Sequence, residues 1–508
     1  MNFYRCNNMS TQKQIKLGAI LSYASIAIKI ATGLLYTPWM INSIGRDNFG
    51  LYTLAMSVIS LFVFDFGLSS AVTRFISKFL ANGEKQKAND FLGLVYKLYL
   101  GIDVLLFIAL LVLFFFIPQI YRELTPDEIE KFKVVYGMAA IYSIFSFPFI
   151  PVNGVLIAYE KFIQSRVCDI LHKLLIVGLV SACLLFGYGL YALVLVNTIA
   201  GLITIGMKLY CIRFYTSQHA NIRYWNKEEL KSIASYSGWV TVKALAQRCI
   251  MNVAPSILGI LSGSEEIAIL GIAITLEGYT FTFANAINGM FLPKVSRDLA
   301  NNIDIVPLMT KVGRIQIVII GLIVTGFALF GKEFIFMWVG DKFESSYYCA
   351  VFMIIPSFFH LPQEIAHQTV YALNKVKLEA IVFLIMALIN IIGAASLASD
   401  FGAFGVGISV FVAYLVRTVG MDYIYIKNMS INICAFCNNT FIKSMIPIST
   451  SVLVGVFINC VFPESGWLIL VFKVAVYCVL YGIIMYWCFM NDFEKELLIS
   501  PIRRFLKF

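Results

Sequence analysis

Long apolar runs alternate with short polar loops along the whole chain. Runs of about 20 or more mainly apolar residues are long enough to cross a bilayer as helices. They are predicted over 17–40, 49–72, 91–117, 134–158, 165–187, 190–212 and 233–261, then over 266–292, 312–339, 346–373, 378–399, 403–426, 440–462 and 466–490. About fourteen spans with only short connections, the longest at 213–232 and 293–311, predict an all-α polytopic membrane protein with no soluble domain. The first two spans flank a turn at Gly45-Arg46-Asp47-Asn48, and each carries an ionisable residue at membrane depth, Lys29 and Asp65. Charges at that depth are costly and usually face a polar interior, which makes both residues functional candidates.

A degraded copy of this opening unit returns mid-chain. Arg74–Asn82 (RFISKFLAN) aligns with Pro293–Asn301 (PKVSRDLAN), Ser22-Tyr23 and Lys29 with Ser235-Tyr236 and Lys243, and Pro38 with Pro255. Six spans separate the copies, an even number that preserves topology. The halves are therefore expected to be parallel repeats related by an axis along the membrane normal. This divides the chain into a six-helix lobe at 1–212, a cytoplasmic linker at 213–232, a second six-helix lobe at 233–426, and an extra helix pair with a cytoplasmic tail at 427–508.

Loop charge sets the orientation. One set of connections collects Lys13, Arg74, Lys85, Lys161, Arg213, Lys231, Lys311, Lys375 and Lys443 among others. The opposite set holds few cations, diluted by Glu123, Asp127, Glu128, Glu265 and Glu266. The positive-inside rule then places both termini in the cytoplasm. The first fifteen residues lack the apolar region of a signal peptide, and Met9 is a candidate start beside Met1.

Composition narrows the class. A chain with 60% hydrophobic and 13% charged residues is no soluble protein, and its net charge of +10 belongs to loops rather than to a nucleic-acid surface. Eleven scattered cysteines suggest no disulfide framework, and the single CxxC at Cys434 and Cys437 lacks the second pair that a metal site needs. No cofactor is expected.

The candidate chemistry lies inside the spans. Ser22, Ser25, Lys29, Thr32 and Tyr36 fall on one face of the first span, and Ser237, Thr241, Arg248 and Asn252 on one face of the seventh, with Lys243 and Gln247 alongside. One reading is an anion site in a shared cavity, with Lys29, Lys243 and Arg248 facing a phosphate or acidic sugar. The other is structural pairing, Lys29 with Asp65 and Arg248 with Glu277. The excess of cations over acids favours the first. Glu277, Thr280, Thr282, Asn285 and Asn288 suit sugar binding and helix packing equally. His360, Glu364 and His367 follow helical spacing, but Pro362 between them argues against a metal site. A hydrogen-bonded core pair is the leading reading there and a proton-titrating cluster the next. Arg417 and Asp422 suggest an inner gate contact, Asp169 and Lys173 an i,i+4 pair, and Lys97 and Lys473 side chains that snorkel to the interface.

Two segments of the opening unit, TPWMINSIGRDNFGLYTLAMSV and FDFGLSSAVTRFISK, resemble the start of polysaccharide repeat-unit flippases of the Wzx type. These belong to the multidrug/oligosaccharidyl-lipid/polysaccharide exporter superfamily, whose fold the multidrug (MATE) exporters share. The likeness is strongest over 16–82. It implies two six-helix lobes, no enzymatic activity, and transfer of undecaprenyl-diphosphate-linked oligosaccharide across a bacterial inner membrane, as in O-antigen and lipopolysaccharide assembly. It also implies a basic cavity, which Lys29, Lys243 and Arg248 match in chemical type. Substrate contacts are expected at Asp65, Glu277 and Asn285 as well, and coupling or gating at His360, Glu364, His367 and Arg417. The expected partners are the lipid-linked oligosaccharide, membrane lipids, and the polymerase and chain-length regulator of the same pathway, with the protein itself a monomer. The extra pair at 440–490 favours this reading over the twelve-span drug antiporters. A membrane polysaccharide polymerase, the enzyme alternative, would be expected to carry a large outer loop.

Overall fold

The structure is a computed structural model. It describes residues 11–285, 291, 295, 297–299, 301, 303–373, 375–492 and 494–496, without the side chains of 11–25, 28, 29, 70, 184, 232–237 and 283–285. Every regular element among the described residues is helical. Nine helical segments among these residues are long and apolar enough to cross a membrane. One of them, 376–429, covers two predicted spans, so the number fourteen remains an expectation from hydropathy. Much of the 293–301 repeat segment falls outside the described residues.

Contacts divide the chain into two compact units, 1–271 and 272–508. The first contains α1 (Thr11–Ile44), α2 (Arg46–Phe62), α3 (Leu68–Ala81), α4 (Lys85–Ile120), α5 (Pro126–Ser146), α6 (Val152–Ala158), α7 (Phe162–Leu185), α8 (Leu190–Tyr215), α9 (Lys227–Leu261) and the start of α10 (Ser264–Asn285). The sequence repeat sets the lobes at 1–212 and 233–426. Packing draws its line later, because α9 lies along α2.

The second predicted span is not continuous. Phe66 and Gly67 have φ of +50° and +68°, and two left-handed residues in succession cannot continue a right-handed helix. Glycine takes that conformation without strain, which phenylalanine does not. α2 therefore ends at Phe62 and α3 begins at Leu68, with Asp65 in the gap. Prolines interrupt the fourth span at Pro148 and Pro151, and the tenth at Pro356 and Pro362. Each lacks the amide a continuous helix requires.

The core of the first unit forms where α3, α4 and α6 meet, around Val72, Ile76, Phe91, Val95, Tyr99 and Phe147. The outer face of α4 instead exposes Val104, Leu105, Ile108, Val112, Phe115 and Phe116. A run of this size on a soluble protein would be an aggregation site; here it is a surface for lipid.

Loops expected on one side of the membrane meet each other. Arg46 Nη1 pairs with Glu265 at 3.3 Å, and Ser264 Oγ donates to Glu128. Among loops assigned to the cytoplasm, the segment after α8 straps onto the start of α4. Gln218 Nε2 donates to Asn89 Oδ1 at 3.0 Å, and Asn221 Nδ2 to Asp90 Oδ1 at 2.7 Å. Lys97 Nζ reaches the same strap and donates to the Tyr224 carbonyl at 2.9 Å. Gly93 permits the close approach, since a Cβ there would lie 1.9 Å from the Asn221 carbonyl oxygen. Gly93→Ala is expected to lift the strap at a cost of about 1–3 kcal/mol. Limited trypsinolysis would show it as faster cleavage at Arg223 and Lys227, and an unchanged cleavage rate would count against this packing.

The second unit holds the rest of α10, then α11 (Val306–Val339), α12 (Ser345–Ile354), a single turn at Ser357–His360, α13 (Glu364–Ala372), α14 (Val376–Met429), α15 (Ile433–Cys437), α16 (Lys443–Val461) and α17 (Trp467–Cys488). α14 carries the predicted spans 378–399 and 403–426, separated at Gly402 with φ +53° and ψ −136°. The extra pair α16 and α17 packs on α11 through Phe330, Ile458, Leu470, Tyr477 and Tyr481. Lys473 does not snorkel. It is 3% exposed, and its Nζ pairs with Glu333 Oε2 at 2.9 Å and the Glu464 carbonyl at 3.2 Å. Its partners are an acid of α11 and a carbonyl of the loop between α16 and α17.

Candidate functional site

The break in the second span builds a polar point inside the first unit. Ending α2 leaves its last carbonyls without intrahelical donors, and starting α3 leaves its first amides without acceptors. Asp65 serves the amides: its Oδ1 accepts from the Ser69 N–H at 3.0 Å. The same oxygen accepts the Tyr99 hydroxyl at 2.8 Å. α9 serves the carbonyls. Arg248 Nη1 donates to the Ser60 carbonyl at 2.8 Å, and Thr241 Oγ1 to the Phe66 carbonyl at 2.7 Å. The Arg248 guanidinium lies 5.4 Å from the centre of the Phe64 ring and faces Asp65.

The structure thus brings two of the sequence candidates, Asp65 and Arg248, to the same helix break, where Arg248 acts on Asp65 through its field rather than by a direct ion pair. Lys243 is buried on the same helix α9, five residues before Arg248 and on another strip. The side chain of Lys29 lies outside the described residues, as does that of Asn285. Glu277 is buried in the second unit and faces Tyr414. Sequence reasoning missed Tyr99, which sits among apolar residues in a regular span; no local pattern marks it as the partner of an acid 34 residues earlier.

The predicted set at His360, Glu364 and His367 is divided. Pro356 and Pro362 break the helix that would have aligned it. His360 Nδ1 turns to the Pro356 carbonyl at 2.9 Å, and its ring stacks on Tyr414. His367 bridges two acids, with Nε2 2.6 Å from Glu379 Oε1 and Nδ1 3.4 Å from Glu364 Oε1. Glu379 is fully buried. An acid inside the apolar run KLEAIVF was the available signal for it. Arg417 lies over the Phe383 ring at 5.2 Å, with Asp422 and His360 within its field.

Asp169 has Lys208 of α8 as its near partner, at 2.7 Å, and Arg166 at 3.5 Å. The sequence offers Lys173 at i,i+4; Lys208, the near cation on the adjacent helix, is a partner that local spacing does not show.

The family described as "Polysaccharide biosynthesis protein" matches residues 16–297, just over half of the chain and all of the Asp65–Arg248 site. The chain belongs to this family. It is similar to the "Uncharacterized membrane protein EpsK" of Bacillus subtilis (strain 168), 22% identical over 445 residues that cover 82% of this chain and 83% of that protein. Its fold is similar to that of "Lipid II flippase MurJ, inward closed conformation", with a TM-score of 0.72, 14% identity, and 92% and 98% of the two chains covered. It is also similar to an inward-facing multidrug resistance MATE family transporter of the MOP superfamily, with a TM-score of 0.65, 14% identity, and coverage of 81% and 98%. At such identities the likeness concerns the fold: this polysaccharide biosynthesis protein has the helical architecture of the MOP superfamily. The matched range contains the whole 16–82 stretch whose residues resemble repeat-unit flippases.

Proposed function

We propose that this protein is a flippase. It moves undecaprenyl-diphosphate-linked oligosaccharide units from the cytoplasmic to the outer face of a bacterial inner membrane by alternating access, with both termini in the cytoplasm. The observation that carries the reading is the Arg248–Asp65 point at the broken second span, inside the family match. Irregular backbone and charge at membrane depth persist where they are buried in protein or line a polar path. A guanidinium there is suited to the oxygens of a diphosphate, and Lys29 and Lys243 are its proposed companions.

Two further features support the reading. An apolar cavity of about 250 Å³ lies between α11 and α17, lined by Gly326, Phe330, Leu470, Val474 and Tyr477. It offers a groove for a prenyl chain that stays in lipid while its head crosses. The His367–Glu364–Glu379 set and Arg417 are the proposed coupling or gating groups, and Glu277 and Asn285 further substrate contacts. The drug-antiporter reading has the buried acids of the second unit in its favour, but it gives the basic residues of the first no task.

A deletion strain is expected to lose surface polysaccharide and to accumulate the completed lipid-linked unit on the cytoplasmic face. Normal polysaccharide in a strain without a redundant flippase would falsify the assignment. Loss of drug resistance alone would transfer it to the antiporter reading.

A further inference from the structure

Helices α7 and α8 have two unlike faces. One, with Val167, Cys168, Leu171, Met207 and Tyr210, borders an apolar groove of about 510 Å³. The other borders a pair of polar cavities inside the first unit. The first of these, about 260 Å³, reaches from Ser60 and Val63 at the end of α2 to Asn197 and Thr198 of α8. The second, about 350 Å³, reaches from Asn153 to Asp169, Thr204 and Lys208. Tyr142, Ser146 and His172 line both, so the two cavities form one cleft. Its combined size falls in the range of small-molecule sites.

We propose that this cleft is a saccharide subsite, which takes the sugar adjoining the diphosphate of the lipid-linked substrate. The proposal rests on the flippase reading and extends it to a place where that reading has no assigned residue. Three observations carry it.

The first is position. The Ser60 residue in the cleft wall is the one whose carbonyl holds Arg248 at 2.8 Å. Arg248 lines neither cavity, but Ser60 places it one residue away from the cleft wall, so a sugar attached to a diphosphate at Arg248 is within reach of the cleft.

The second is the kind of polarity. Lys208 pairs with Asp169 at 2.7 Å, an acid that Arg166 also reaches at 3.5 Å, and donates to Asn153 Oδ1 at 3.1 Å. The wall thus combines hydroxyls, amides and an ion-paired lysine with apolar side chains such as Met56, Val63 and Phe149, a mixture suited to the hydroxyls and apolar faces of a sugar. Thr204 and Thr198 give their protons to carbonyls of their own helix, at 2.7 and 2.9 Å; Thr204 Oγ1 then accepts from His172, and Thr198 keeps its oxygen lone pairs for a ligand. His172 uses Nδ1 with Thr204 Oγ1 at 2.8 Å and the Ala200 carbonyl at 3.3 Å. Among the described residues its Nε2 has no hydrogen-bond partner, which leaves one ring nitrogen to meet a sugar hydroxyl.

The third is a deliberate close approach. Tyr142 crosses α8 at Gly201, where a Cβ would lie 1.8 Å from its hydroxyl oxygen. Glycine keeps this aromatic ring in the cleft wall, where the face of a sugar ring packs well.

The test is lipid binding by the full chain in nanodiscs, read by native mass spectrometry. The probes are undecaprenyl diphosphate alone and the same lipid carrying one hexose, one N-acetylhexosamine or one uronic acid. At least one glycosylated lipid is expected to bind the wild type about tenfold more tightly than the bare lipid. His172→Phe and Asn197→Leu are expected to reduce that preference to within about twofold and to leave bare-lipid affinity unchanged. Ser146→Ala, a smaller change, is expected to weaken it in a protein that melts at the wild-type temperature. Equal affinity of the wild type for bare and glycosylated lipids overturns the subsite, and so does a preference that survives both larger substitutions in folded protein. Failure of every probe to bind, the bare lipid included, instead overturns the flippase reading beneath it.

Discussion

Arg248→Glu is expected to abolish polysaccharide export, with a loss of at least about a hundredfold. The guanidinium now donates to the Ser60 carbonyl and faces Asp65. A carboxylate in its place sets acceptor against acceptor and acid against acid at the point where α2 and α3 separate. Hydrogen bonds to charged groups contribute about 1.5–3 kcal/mol each, and the reversal adds repulsion to their loss. Arg248→Lys keeps the charge but not the planar fork, and is expected to retain about a tenth of wild-type export. Asp65→Asn gives the contrast. It keeps an oxygen for Ser69 N–H and Tyr99 while removing the negative charge, so helix capping survives and the cation is less restrained. Export is measured as surface polysaccharide per unit of inserted protein. Wild-type export by a well-inserted Lys29→Ala, Arg248→Ala double variant would remove these cations from the proposed anion site.

The largest effect on stability is expected at Arg314. This residue of α11 is 9% exposed by side chain and Glu494 is 4%. Nε donates to Glu494 Oε1 at 2.7 Å and Nη2 to Glu494 Oε2 at 3.1 Å, while Nη1 reaches the Asn439 carbonyl at 2.9 Å. A further bond goes to the Phe489 carbonyl, and the guanidinium stacks on the Phe489 ring at 4.0 Å. One side chain thus ties the segment after α17, and the turn before α16, to α11. Removing it leaves a buried carboxylate with its Arg314 bonds gone, and breaking such a pair costs about 3–5 kcal/mol. Arg314→Ala is expected to lower the melting temperature in detergent by several degrees and to free the C-terminal segment for proteolysis. Replacing both partners, as Arg314→Met with Glu494→Met, is expected to recover part of the loss, because no unpaired charge is then buried. A double variant no more stable than Arg314→Ala alone would show that the backbone contacts, rather than the ion pair, dominate.

The two sites differ in how far the sequence anticipates them. Asp65 and Arg248 are visible as charges inside apolar runs, because a bilayer makes any such charge conspicuous. Their meeting is not visible: the acid and the arginine are 183 residues apart, and the helix break that joins them depends on the backbone at Phe66 and Gly67. Arg314 reads as an ordinary basic residue at a span end. Only the fold brings Glu494, 180 positions later, against it.

The sequence by itself determined the class of protein, the alternation of loops and the candidate charges. Those properties follow from the length of an apolar run and the cost of charge in hydrocarbon, which are local. The tertiary structure decided the partners. Asp169 meets Lys208 of the adjacent helix, Lys473 meets Glu333, and the His360 set splits at its prolines. For Asp169, Lys473 and His367 a group on a neighbouring helix supplies a partner that no local pattern shows. The polar cleft behind Tyr142 belongs to the same class of decision: its walls come from five helices, and no one of them carries the pattern alone.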